Sequence, residues 1–193
     1  MASENFAPRS DEELQNSTVG ELKLHNAPIT LVEYDPSWPK LFEREAKRIR
    51  KVLGGKALQI EHVGSTSVPG LCAKPIIDIL LVVKNSAEES AYVPALEAAG
   101  YKLRVQEPEW FEHRMFKGPD TDINLHVFSE GASEINRMLR FRDWLRLNES
   151  DRDKYARVKR SLAKNKWRHV QHYADAKTSI VQEIMERATV NQK

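Results

Sequence analysis

Residues Glu61 to Leu81 read EHVGSTSVPGLCAKPIIDILL. The apolar run Ile76 to Val83 is β-branched and bounded by loop residues, which predicts a central strand. The loop before it, Gly64 to Pro75, holds two Gly and two Pro and follows a strand that ends at Val63. Gly64 removes the Cβ that would keep a ligand from the backbone. Ser65, Thr66 and Ser67 offer three hydroxyls and their amides, a combination suited to phosphate. Asp78 interrupts the apolar run, and a carboxylate in such a strand is costly unless it meets a metal, a base or solvent. Loop and Asp together mark a candidate site. Glu61 and His62 stand just before the loop. Successive strand residues point to opposite faces, so one of the two faces the pocket.

Working outward, Ala57 to Val63 alternates like a strand, and Ile29 to Tyr34 has strand propensity. Asp35 to Pro39 forms a turn that starts a helix, with Ser37 as its N-cap. Leu41, Phe42, Ala46, Ile49 and Leu53 continue it at helical spacing until Gly54 and Gly55. Ser86 to Gly100 reads as a helix capped by Ser86, and Tyr101 to Val105 as a strand. His113 to Lys117 and Asp122 to Phe128 flank Gly118-Pro119-Asp120-Thr121, a hairpin signature. From Ala132 the pattern is helical, with breaks near residues 148–150 and 165–166 and a capping pair Ser150/Asp153. The expectation is an α/β (α+β) protein. Residues 1–28 are a mobile or loosely attached lead-in, 29–131 a core with a mixed sheet, and 132–193 a basic helical C-terminal part.

The chain has 193 residues, 40% apolar and 30% charged, with one cysteine, Cys72. No intrachain disulfide or CxxC metal site can form, and no stretch approaches the roughly 20 apolar residues of a membrane span. The N-terminus is acidic and polar, unlike a signal peptide. These features point to a reducing, cytoplasmic setting. The net charge of +2 hides an asymmetry. Residues 1–35 hold seven acids against two bases, whereas residues 137–168 hold twelve Lys or Arg against four acids. Such a basic segment attracts phosphates or nucleic acid. The ordinary alternative is a solvated, salt-bridged helix face.

The stretch EHVGSTSVPGLCAKPIIDI, with DPSWPKLF, NLHVF, FRDWLRLN and YADAK, resembles the GrpB-like family, a branch of the nucleotidyltransferase superfamily. The resemblance runs from about Val32 to Ile184. It implies a nucleotidyltransferase-like mixed sheet with helices and a C-terminal helical extension. It also implies that Gly64 and Ser65 are the phosphate loop and Asp78 the first acid. The family pattern puts a second acid at position 80 and a third on a neighbouring strand. Here Leu80 stands at the former, and Asn124 and His126 are what the neighbouring strand offers. Two-metal nucleotidyl transfer needs several carboxylates, so that chemistry is in question.

Some GrpB-like sequences resemble arginine-containing cyclodipeptide synthases, which join amino acids delivered on aminoacyl-tRNA. That resemblance gives the leading reading: a transferase forming a peptide bond, needing no cofactor, with aminoacyl-tRNA as partner. Asp78, Ser65, His62, Glu61 and His126 are the candidate catalytic residues. Gly64, Thr66, Ser67, Lys74, Arg114 and Asn124 are candidates for substrate binding. Arg157, Arg160, Lys164, Lys166 and Arg168 are candidates for nucleic-acid binding. Metal-dependent nucleotidyl transfer, which would use Mg²⁺ and a nucleotide, is one alternative. A non-catalytic nucleotide- or RNA-binding module is the other. Trp144 and Tyr155 read as core, Cys72 as a buried apolar residue, and no metal site is expected.

Overall fold

The computed structural model describes residues 7–190. In chain order the elements are α1 (Asp11–Ser17), α2 (Trp38–Leu53), β1 (Gln59–Val63), β2 (Ile77–Val83), α3 (Val93–Ala98), β3 (Lys102–Glu107), β4 (His113–Lys117), β5 (Ile123–Ser129), α4 (Ser133–Leu147), α5 (Glu149–Ala163), α6 (Val170–Asp175) and α7 (Thr178–Val190). The strands form one mixed sheet in the order β1-β2-β5-β4-β3. β2 pairs parallel with β5, and the other neighbours are antiparallel. The mixed α/β fold and the central place of β2 agree with the sequence. β2 is apolar on both faces because both faces are covered.

Register decides what each face carries. Asp78 lies opposite Asn124 on β5 and Val63 on β1, and Leu80 lies opposite His126. These side chains share one face. On the other face Ile60, Ile77, Ile79, Leu81, Leu125, Val127 and Phe116 pack against Trp38, Ala46, Ile49 and Leu53 of α2 and against α3. Fully burying a side chain of this size contributes about 1.5–3 kcal/mol, so this layer is the main apolar core. The first face is shared out differently. α4 seals its middle, with Val63, Leu80, Val82 and Phe128 against Ile135. α5 and α7 pack instead on the β1–β2 loop, through Val68, Leu71 and Cys72 against Tyr155, Ala156, Ile180 and Ile184. The start of β2, with Asp78, lies between these two packings.

Several local expectations give way. Residues 29–34 form no strand. They cross the loop, with a single bridge between Val32 and Ala73, and Ile29 N–H donates to Ala163 C=O. The helix expected over 86–100 shrinks to a 3-10 turn at Glu89–Ala91 and α3. Pro94 belongs in a first helical turn, so α3 begins there, and the Ser86 hydroxyl donates to Glu112 C=O instead of capping. Ser37 precedes α2 without a side-chain cap bond. α5 is capped by Asn148, whose side chain accepts from Asp151 N–H, and not by Ser150. A break at 176–177, unforeseen, divides α6 from α7. Residues 1–6 of the expected lead-in lie outside the described residues. The rest of it is pinned. Ser10 and Glu13 make a capping box for α1, Leu14 is buried, and Arg9 bridges Glu107 on β3 and Asp175 on α6.

Candidate functional site

Asp78 is the centre of the polar part of the sheet. Asn124 donates to its Oδ1 at 2.9 Å, and His126 Nε2 lies 3.3 Å from the same oxygen. Its side chain is 29% exposed and that of His126 22%, so this end of β2 is open. Burial pushes the Asp78 carboxyl up, but His126, Asn124 and the charge of Lys74 outweigh it, and the group stays ionised below its ordinary range.

The turn at Gly64 belongs to the same place for a reason the sequence did not reveal. Gly64 has φ +69°, and a Cβ there would lie 2.5 Å from Asp78 Oδ2. The missing side chain makes room for Asp78 itself. After it, Ser65 lies near enough to Tyr155 to act on its phenol. The Ser67 hydroxyl turns inward to Gly64 C=O at 2.6 Å. Thr66 is buried against His62, with Oγ1 3.0 Å from Nε2. Thr66 and Ser67 thus use their hydroxyls within the protein.

Three lysines meet here. Lys74 precedes β2, Lys159 belongs to α5 and Lys177 lies between α6 and α7. Lys177 Nζ is 4.6 Å and Lys74 Nζ 5.9 Å from the centre of the Tyr173 ring, and Lys159 Nζ is 5.2 Å from that of Tyr155. Lys159, 2% exposed, donates to Cys72 C=O. Burial pushes Lys159 down to about 7, with Lys177 and Lys74 adding repulsion. Burial likewise brings Lys74 and Lys177 to about 8, Asp78 pulling the other way in both. Lys74, Lys159 and Lys177 thus lie in one region with Asp78, and Asp122 and Asp175 also act on Lys74 and Lys177. Amines crowded in this way favour the approach of an anion.

Other candidates are elsewhere or already engaged. His62 points to the opposite face, stacked on Phe42 at 4.9 Å. Burial, with Arg146 and Arg142 nearby, pushes it down to about 4, so it is neutral. Arg114 pairs with Val127 across the sheet, placing it on the opposite face from His126. There it is buried and bound by Glu89 and Glu112. This register takes Arg114, a substrate-binding candidate from the sequence, away from the Asp78 surface. Glu61 shares the face of Asp78 but is held by Arg142 at 2.9 Å. In the basic segment, Arg160 is paired with Glu33 and Arg168 with Asp11, while Arg157, Lys164 and Lys166 are exposed. A cleft of about 250 Å³ beside Lys56, Leu58, Val83 and Tyr92 lies at the other end of β2.

The donors do not suit a divalent cation. Asp78 Oδ1 already accepts from Asn124 and lies against His126, and Leu80 is fully buried against α4. Among the described residues no group of three or more His, Cys, Asp or Glu side chains converges as a metal site. A hard cation such as Mg²⁺ takes oxygen ligands in near-octahedral array, and this set offers a single carboxylate.

Sequence reading missed Lys159, Lys177 and Tyr173. It also missed His113, whose Nε2 lies 3.1 Å from His126 Nδ1. A sequence signal existed for two of them: Tyr173 and Lys177 open and close YADAK. The place of His113 follows from the register of β4, where Met115 pairs with His126.

A mixed five-stranded sheet with Asp78 beside a Gly-Ser turn, and with Lys74, Lys159 and Lys177 nearby, defines an α/β protein with a polar candidate site. The chain belongs to the GrpB protein family, whose profile matches residues 28–187. It is 78% identical over 186 residues to UPF0157 protein BH1888 of Halalkalibacterium halodurans, covering 96% of this chain and 95% of that one. It is 43% identical to UPF0157 protein SCO7215 of Streptomyces coelicolor, covering 83% and 84% of the two chains. The crystal structure of the conserved protein GrpB from Enterococcus faecalis superposes with a TM-score of 0.74 at 30% identity, over 84% of this chain and 99% of that one. Membership names no reaction, and the aminoacyl-transfer reading gains nothing from it. Among the described residues no helix is long and apolar enough to cross a membrane.

Proposed function

We propose that this chain is a transferase for a phosphate-bearing substrate. The phosphate sits among Lys74, Lys159 and Lys177 over the Gly64–Ser65 turn, and the reacting group meets Asp78 and His126. One observation carries the reading: Lys74 and Lys177 share the Tyr173 ring, Lys159 is buried beside Tyr155, and all three feel Asp78. Asp78, fixed through Oδ1, takes the proton of an attacking hydroxyl or amine, and the ammonium groups neutralise charge on the phosphate side. An anion stabilises the ammonium forms, so binding draws protons onto amines that titrate at about 7 and 8.

Calorimetry with pyrophosphate, ATP and adenosine tests this, run near pH 8 in two buffers of different ionisation enthalpy. Pyrophosphate and ATP bind with net proton uptake, and adenosine does not bind. Lys159→Met weakens pyrophosphate at least about tenfold, the size of one charged hydrogen bond. Absence of pyrophosphate and ATP binding, or binding without proton uptake, sinks the reading.

Within this class, aminoacyl transfer from aminoacyl-tRNA is favoured over nucleotidyl transfer by the side chains present. Leu80 and Asn124 stand where the latter needs acids, whereas ester-to-amide transfer needs an acid–base group and a held acceptor stem. Radiolabelled amino-acid transfer from aminoacyl-tRNA distinguishes the two. Phosphate binding with no transfer of either kind leaves a non-catalytic nucleotide- or RNA-binding module.

A further inference from the structure

Four side chains on the Asp78 face are joined in a line across four strands. Glu107 Oε2 of β3 lies 2.7 Å from His113 Nδ1 of β4. His113 Nε2 lies 3.1 Å from His126 Nδ1 of β5, and His126 Nε2 lies 3.3 Å from Asp78 Oδ1 of β2. The two imidazoles stack, with centroids 5.3 Å apart and planes at 17°. His113 is 5% exposed, stacked on Phe128 at 4.8 Å and met edge-on by Trp110 at 5.2 Å.

The line has a proton count. Each of its three contacts needs one proton between its heavy atoms. Two neutral imidazoles bring two protons. With both carboxylates ionised the third must be an added one, and one arrangement then satisfies every contact while leaving His113 neutral. His113 Nδ1–H donates to Glu107, His126 Nδ1–H donates to His113 Nε2, and His126 Nε2–H donates to Asp78. Burial pushes His113 down, while the hydrogen bonds and charges of His113 and Arg9 hold Glu107 below its ordinary range.

We infer that Glu107 and His113 are positioning residues for the Asp78 site, holding His126 as the donor to Asp78 and coupling its proton to a carboxylate three strands away. The charged groups around the line are these. Arg9 contacts Glu107 Oε1 at 2.7 Å and is held by Asp175. Arg114, on the opposite face of the sheet, acts on His113, Glu134 of α4 lies near His126, and Lys74, Lys159 and Lys177 act on Asp78. Arg9 thereby gives the N-terminal segment a role: it fixes the far end of the line. The purpose of the coupling rests on the transfer site proposed above, but the coupling itself is measurable without substrate.

The test is nitrogen-detected NMR of the histidine rings in full-length, ligand-free protein across a pH series. In wild type, His113 carries its proton on Nδ1 and His126 carries two while the pair holds its shared proton. Glu107→Gln lowers the pH at which the pair takes up that proton by about one unit and alters the His126 ring, which Glu107 does not touch. Asp78→Asn does the same to His113 from the other end, and keeps the test alive if Glu107→Gln fails to fold. A variant that changes only the ring it touches, or a wild-type His126 bearing one proton while His113 bears two, overturns the inference. Failure of phosphate binding would leave it standing, and its own failure would leave the phosphate reading standing.

Discussion

The two faces of the sheet are made by alternate residues of the same strands, and they treat polar side chains in opposite ways. Toward α2 and α3, His62 is stacked, bonded to Thr66 and neutral, and Arg114 is matched by Glu89 and Glu112. Both polar groups there have partners within the protein. On the other face Asp78 and His126 are partly exposed, and Lys74, Lys159 and Lys177 are near them with their amines lowered by burial. Burial and polarity alone do not separate a structural group from a functional one, since His62 is more buried than His126. The separating feature is whether the local charge is complete.

The Asp78 face is itself divided, and position 80 breaks the comparison most sharply. Two residues beyond Asp78, Leu80 is sealed among Val63, Val82, Phe128 and Ile135. Restoring an acid there therefore buries a carboxylate and removes a core side chain. Leu80→Asp costs more than about 4 kcal/mol in urea unfolding, or prevents folding. A fold that tolerates it, and gains Mg²⁺ affinity, would show that the open region reaches position 80 and would return nucleotidyl transfer to the front.

The division explains what was legible in the sequence. β2, β4 and β5 were readable because apolar runs and turn residues act locally. Asp78 was readable because a carboxylate in an apolar strand is locally anomalous. Lys159 was not. Among twelve Lys and Arg between residues 137 and 168, its burial depends on the β1–β2 loop, whose Cys72 carbonyl it meets. His62 beside His126 was ambiguous for the same reason: the face each occupies follows from register with β2, which no single strand encodes. Residues 29–34 had the composition of a strand but make one bridge only, Val32 with Ala73, across the β1–β2 loop.

The second prediction sharpens the contrast through pH. His62 is held near 4 against an ordinary 6.5. The unfolded chain binds this proton more readily, so stability falls as pH drops below 6.5 and levels off below about 4. Between pH 7 and pH 5 the loss is about 2 kcal/mol. Urea midpoints of wild type and His62→Gln, compared at both pH values, check it. The variant loses less on acidification. Equal losses would mean that His62 is accessible when protonated, and the closed face would not be closed.

The smallest expected effect is at the outer surface of the helices. α5 carries Lys159 inward and Arg157, Lys164 just beyond its end and Lys166 outward, so one helix compares a buried cation with exposed ones. Reversing Arg157, Lys164 and Lys166 to Glu changes stability by less than about 1 kcal/mol, because exposed charges contribute little. Thermal unfolding checks that half. The same triple change bears on the aminoacyl-tRNA reading. If these side chains contact phosphates, tRNA affinity in gel shifts falls steeply with salt, and the slope drops by about one unit per lost contact. Pyrophosphate binding is unchanged, since Lys74, Lys159 and Lys177 remain. With Arg160 and Arg168 already matched by Glu33 and Asp11, the exposed surface offers fewer contacts than its composition implies. A wild type that binds no tRNA at low salt removes the aminoacyl-tRNA reading and leaves the lysine site to a smaller phosphate-bearing substrate.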